Sequence, residues 1–183
     1  MGCKLTQPKL NSCTKKQKQG GLDSLMWLFN AEDVTYEEAT AGVVTAINLP
    51  SGEQLFRIDG DKFASSFGHS FEKPNINSFF PQTLSIVSIV DTAEDLAWLN
   101  SVLRAEKLGA VVIDNNRQIK LLGQYSGMMA ESGDSFNSGN EQGADIGTTV
   151  TLSGAESGSP FKFVDLGDFQ TTKDYLVTLE TAV

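Results

Sequence analysis

Apolar residues along this chain mostly alternate with polar ones in short runs, and clusters of Gly, Pro, Asn and Ser separate the runs; this pattern predicts strands and turns. Between Asp91 and Gly123 the period changes. Leu96, Leu99 and Leu103 fall at i, i+3 and i+7, and Trp98 and Val102 widen the stripe, which predicts a helix over about 92–107. Its start is marked by either Asp91 capping with Glu94 reaching back, or Thr92 capping with Asp95 doing so. Arg104 and Lys107 suit the last turn, and Gly109 suits a left-handed stop. Ala110-Val111-Val112-Ile113 then predicts a buried strand. Asp114-Asn115-Asn116-Arg117 predicts a tight turn with positive φ at Asn, and Ile119 and Leu121 the returning strand.

The flanking segments follow the strand period. Leu22 to Phe29 is a mixed apolar stretch around Trp27. Val43, Thr45, Ile47 and Leu49 share one face of a strand, Pro50 to Glu53 turns, and Gln54 to Asp59 returns with Phe56 and Ile58 on one face. Phe63, Phe67 and Phe71 are spaced by four, which fits a helix or a strand; the Ser and Gly residues between them favour a strand. Phe79-Phe80 and Leu84 to Val90 continue as strands. The second of these switches face between Ile86 and Val87, which implies a bulge or burial on both sides. Gly123 to Gly147 is an irregular acidic stretch. Thr148 to Ser153, Phe161 to Val164 and Tyr175 to Leu179 read as the closing strands. The expected fold is therefore mainly β (α+β): a β-sandwich or barrel with one flanking α-helix and long hairpins and loops.

Charge divides the chain in two. Residues 1–22 hold Lys4, Lys9, Lys15, Lys16 and Lys18 and no acid, so the net charge of −9 leaves −14 for residues 23–183. This is a basic arm on a single acidic domain, and such a domain repels polyanions. Both cysteines, Cys3 and Cys13, lie in the arm, which argues against a disulfide-built domain. No apolar run reaches membrane-spanning length, and no signal peptide is visible. Met1-Gly2-Cys3-Lys4-Leu5-Thr6 matches the N-myristoylation pattern with a palmitoylatable Cys beside it; a short match of this kind also arises by chance.

Catalytic and metal-binding constellations are not evident. The single histidine, His69, sits in the Phe/Ser strand, away from any triad order. Two Cys and one His are too few for a zinc site without carboxylates. Asp59-Gly60-Asp61 lacks the closing acid of a calcium loop and reads as a turn. There is no phosphate-binding glycine loop. The expectation is a protein without enzymatic activity or cofactor.

The order of elements resembles structural proteins of tailed bacteriophages, in particular tail-tube subunits. The likeness covers roughly residues 40–157: a hairpin, a strand leading into the capped helix, the Gly-Ala-Val-Val-Ile-Asp-Asn-Asn hairpin, Leu121-Leu122-Gly123-Gln124 and Ser126-Gly127-Met128, an acidic Gly/Ser loop, then Thr149 to Glu156. The resemblance implies a β-sandwich or barrel with a flanking helix that forms stacked hexameric rings, made in the host cytoplasm and kept in the virion. It implies copies of itself and other tail proteins as partners, with DNA passing the lumen unbound and no membrane involved. The candidate contacts between subunits are the arm lysines, Phe63, Phe67, Phe71, Phe79 and Phe80 of the aromatic hairpin, and Glu131, Asp134, Glu141 and Asp145 of the acidic loop. The arm departs from the family pattern and leaves open a tail-completion or connector ring, a capsid decoration, or a lipid-anchored peripheral protein using Gly2 and Cys3. A sugar-binding or enzymatic β-sandwich using carboxylates of the long loop is the further rival.

Overall fold

The run around Val111 and Val112 lies in a strand, Leu108–Asp114 (β7), that is buried along its whole length. The computed structural model describes residues 20–59, 64–73, 78–88, 92–131, 135–137 and 147–181. Before β7 come β1 (Leu22–Asn30), β2 (Thr35–Thr40), β3 (Val43–Asn48), β4 (Phe56–Asp59), β5 (Ser66–His69), β6 (Phe80–Ser88) and α1 (Ala93–Arg104). After it come β8 (Ile119–Leu122), β9 (Met129–Ala130), β10 (Ser135–Asn137), β11 (Gly147–Glu156), β12 (Lys162–Val164) and α2 (Phe169–Thr178). The fold is mainly β, as the alternation predicts.

The strands form two sheets. The larger runs β2-β3-β12-β8-β7-β1-β4, the smaller β10-β11-β6-β5 with β9 also on β11. Only the β12–β3 pair among these is parallel. Side chains of β1 and β7 alternate between two cores. Met26, Leu28, Ala110 and Val112 meet Leu84 and Ile86 of β6, Val150 and Leu152 of β11, and Val102 of α1. Trp27, Phe29, Val111 and Ile113 meet Val44, Leu121, Val164 and Leu176 of α2. The large sheet is thus a middle layer, covered by the small sheet and α1 on one face and by α2 on the other. Burial on both faces explains why β7 is a continuous apolar run.

Helix α1 starts at Thr92, whose hydroxyl accepts from Asp95 N while the Asp95 carboxylate accepts from Thr92 N, so the second of the two capping options is the one used. Its packed face is Trp98, Leu99 and Val102; Leu96 and Leu103 are exposed, so the predicted stripe is turned toward Trp98. The helix stops at Arg104 with Ala105 extended. Gly109 is not its stop signal. It lies in β7, where the Phe29 ring presses so close that an added Cβ would sit 2.2 Å from Cζ.

Other elements differ from the alternation pattern for physical reasons. The turn at Pro50–Glu53 forms (Glu53 N to Pro50 O, 3.0 Å), but the strand after it pairs with β1 at the far edge of the sheet rather than returning along β3. Thr45 is skipped between the Glu37–Ala46 and Glu38–Val44 pairs, and this bulge puts Val44, not Val43 or Thr45, beside Ile47 in the core. In the 114–117 turn the positive φ falls on Arg117 rather than on an Asn. β6 pairs with β11 without a bulge through its described length. Part of the long acidic stretch is strand: β9 and β10 both pair with β11.

Tyr175 to Leu179 is not a strand; it belongs to a second helix, α2, save for its last residue. Tyr, Val and Thr favour strands, but Asp168 caps the segment by accepting from Thr171 N at 2.9 Å. Phe169, Thr172 and Leu176 then recur at helical spacing toward the sheet. The Tyr175 hydroxyl fixes the helix to β3: it accepts from Ile47 N at 2.8 Å and donates to Ile47 O at 3.2 Å, beyond the point where β12 stops pairing. Tyr175→Phe leaves both backbone groups unpaired and should lower stability by roughly 1–3 kcal/mol in a denaturant titration; an unchanged midpoint would refute this role.

Candidate functional site

The candidate contact residues divide three ways. The arm lysines, Phe63, Asp134, Glu141 and Asp145 lie outside the described residues. Phe71, Phe79 and Phe80 come together where β5 and β6 form a hairpin. Glu72 and Phe79 exchange backbone hydrogen bonds of 2.9 Å, and the Phe71 and Phe80 ring centroids are 5.3 Å apart. Phe71 is 58 % exposed. Glu131 is exposed where its N–H joins Thr151 O, about 17 Å along β11 from the Phe80 register.

Phe67 is already engaged within its own chain. Its ring meets Phe161 edge-on at 5.9 Å, and the Lys120 ammonium sits 4.9 Å above it. Lys120 is buried and paired with buried Asp114 at 2.7 Å. Burial alone would raise the Asp114 pKa, but hydrogen bonds from Lys120, Gln118 N and Asn116 N outweigh it and hold the carboxyl below its usual range. His69, a sheet residue, also meets Phe161 edge-on, at 5.6 Å.

A second polar cluster had no sequence signal, because its members lie far apart in the chain. Lys162 donates to Glu38 and, at 2.8 Å, to the Tyr125 hydroxyl. The Glu38 carboxyl is held below its usual range by that bond from Lys162. Tyr36 stands edge-on to Tyr125 at 6.1 Å; burial first, then the Glu156 carboxylate and Tyr125, push its hydroxyl well above the usual tyrosine range. Buried Glu156 accepts from Tyr125 N and Ser126 N at 3.0 and 3.1 Å. Gln82 joins Gly123 N to Pro160 O. Together these hold the 123–127 segment against the end of β11. Gly154 lets it approach: a Cβ there would lie 2.2 Å from Gly127 O.

Hollows open on the surface among the described residues. One of about 380 Å³ lies between the 117–119 turn and the start of α2, with Arg117 above the Phe169 ring. A mostly apolar groove of about 190 Å³ runs between β4 and α1, lined by Leu28, Phe56, Trp98, Val102, Ala105 and Leu108 among others. A wide hollow of about 590 Å³ carries Glu32, Asp33, Glu53 and Glu106, with Lys107 beside them. The last two share Asn30 and Ala105, so they adjoin. Among the described residues no three His, Cys, Asp or Glu side chains converge to hold a metal ion.

Two outcomes are expected from the buried carboxylates. Glu156→Ala strands two amides and should cost roughly 2–4 kcal/mol in urea unfolding, with Glu156→Gln milder. A folded-state pKa below the unfolded value stabilises above that unfolded value and is lost as pH falls through the folded one, so acid should erode stability below about pH 4. Asp114→Asn strands Lys120, costs about 3 kcal/mol near neutral pH, and should show a shallower acid limb in thermal melts. Compared with known proteins, the chain matches no family model, no curated protein and no solved structure.

Proposed function

We propose that the chain is a non-enzymatic structural subunit of a tailed-phage virion, of the tail-tube kind, which assembles with copies of itself into rings that conduct DNA. The observation that carries this reading is the paired rings of Phe71 and Phe80 on the β5–β6 hairpin, with Phe71 largely in solvent. An aromatic pair with one ring exposed, beside β5, the last strand of its sheet among the described residues, is a liability in a lone subunit and an anchor between subunits. The two-sheet fold with a flanking helix agrees with the resemblance. The acid excess beyond the arm suits a wall past which a polyanion slides.

The acidic hollow favours a second reading, a ligand-binding or enzymatic sandwich. Its carboxylates come from the β1–β2 and β3–β4 connections and the segment after α1, rather than from the described part of the long acidic stretch. No described helix is long and apolar enough to cross a membrane, which bears neither on an acyl anchor at Gly2 nor on a β-barrel.

Concentrated protein should show rings with open centres in negative stain, and sedimentation velocity should show concentration-dependent assembly. Phe71→Ser with Phe80→Ser should leave the fold intact and weaken assembly roughly 30-fold or more, as expected for losing an aromatic anchor of about 2 kcal/mol. A monomer at every concentration, or assembly indifferent to both substitutions, would overturn the reading.

A further inference from the structure

We propose that the apolar groove between β4 and α1, with the acidic hollow that adjoins it, receives residues 1–19 of a second copy as an added strand on the open edge of β4. The proposal rests on the self-assembly reading and gives the contact between successive rings.

Three features of the chain carry it. First, β4 is the last strand of its sheet and, among the described residues, pairs only with β1, which makes its outer side an edge to which a strand can add. On that strand Phe56 points the same way as buried Ile58, yet it is 44 % exposed at the mouth of the groove. A strand added there gains main-chain hydrogen bonds and a place for an apolar side chain.

Second, the charges match. The arm carries five lysines and no acid, while the hollow joined to the groove carries Glu32, Asp33, Glu53 and Glu106 beside Lys107. Within the arm, Leu10 is followed by Lys15, Lys16 and Lys18. The arm thus carries both an apolar residue suited to the groove and cations suited to the acidic hollow beside it.

Third, the arm and its receiver are different surfaces of one subunit. The arm enters the fold at Gly20, whose carbonyl accepts from the Asn115 side chain at 2.7 Å, beside the paired Leu22 and Asp114. The acidic hollow lies at the other end of β1, where Asn30 pairs with Leu108, about 26 Å along the strand from Leu22, and the edge of β4 lies between, in register with Leu25 to Leu28. A surface that gives in one place and receives in another makes a head-to-tail contact, which can repeat from one ring to the next.

The native arm supplies its own probe. Cys3 and Cys13 are the only cysteines, so full-length Phe56→Cys with Cys3→Ser has one thiol in the arm and one at the groove. Under mild oxidation it should form covalent dimers and longer ladders on a non-reducing gel, in yields that fall as salt rises. The same change at exposed Ser157, which lines neither hollow, should not. Reversing Lys15, Lys16 and Lys18 to Glu should suppress the ladder, and adding Glu53→Lys with Glu106→Lys should restore it. A bridge confined to single chains, a ladder equal at Ser157, or no bridge at all would overturn the proposal. Rings that form without the ladder would sink this contact alone; rings and ladder that both survive Phe71→Ser with Phe80→Ser would sink the hairpin contact alone.

Discussion

β1 and β7 must bury side chains on both sides of the same backbone, and the rest of the structure supplies the cover. Leu28 and Ala110 face the small sheet, while Trp27 and Val111 face α2. Neither face can be left to water, since each fully buried large side chain contributes roughly 1.5–3 kcal/mol. The Trp27 indole N–H donates to Glu180 at 2.8 Å, so the residues following α2 also satisfy the polar atom of this buried ring. With both faces of the middle layer occupied, what the described residues still offer to others is strand edges, the exposed Phe71 and the outer side of α1, where Leu96 and Leu103 are exposed.

Polar groups buried at the margins of these layers lock the loops. Lys120 is held between Asp114 and the faces of Phe67 and Phe161, so its charge is met by a carboxylate and by ring quadrupoles in place of water. Lys162 repeats the arrangement with Glu38 and the Tyr125 ring at 4.7 Å. Both lysines sit on neighbouring strands, where Lys162 pairs with Leu121 and Phe163 with Lys120, so each side of that ladder carries one buried cation.

What was legible in the sequence was local. Thr92 and Asp95 announce α1, and the Val111–Ile113 run announces a strand buried on both sides, because caps and apolar periods are decided by near neighbours. What was not legible depends on distant partners. Gly109 looks like a helix stop until Phe29 is seen lying on it. The strand at Phe56 looks like the second arm of a hairpin until β1 takes it at the other edge. Tyr175 to Leu179 has strand-forming residues, and only the Asp168 cap and the apolar floor of the sheet select a helix. The aromatic hairpin was visible as a pattern, but Phe67 being spent on Phe161 and Lys120 was not. The β4–α1 groove had no signal, since its walls are contributed by segments from Leu28 to Leu108.

The Tyr175 phenol has a consequence for how the molecule meets others. By engaging both the N–H and the C=O of Ile47, it fills a gap in the ladder that would otherwise admit a foreign strand. α2 therefore serves as a stopper as well as a lid: it shuts an unwanted socket midway along the sheet and leaves growth by strand addition to the outermost rungs.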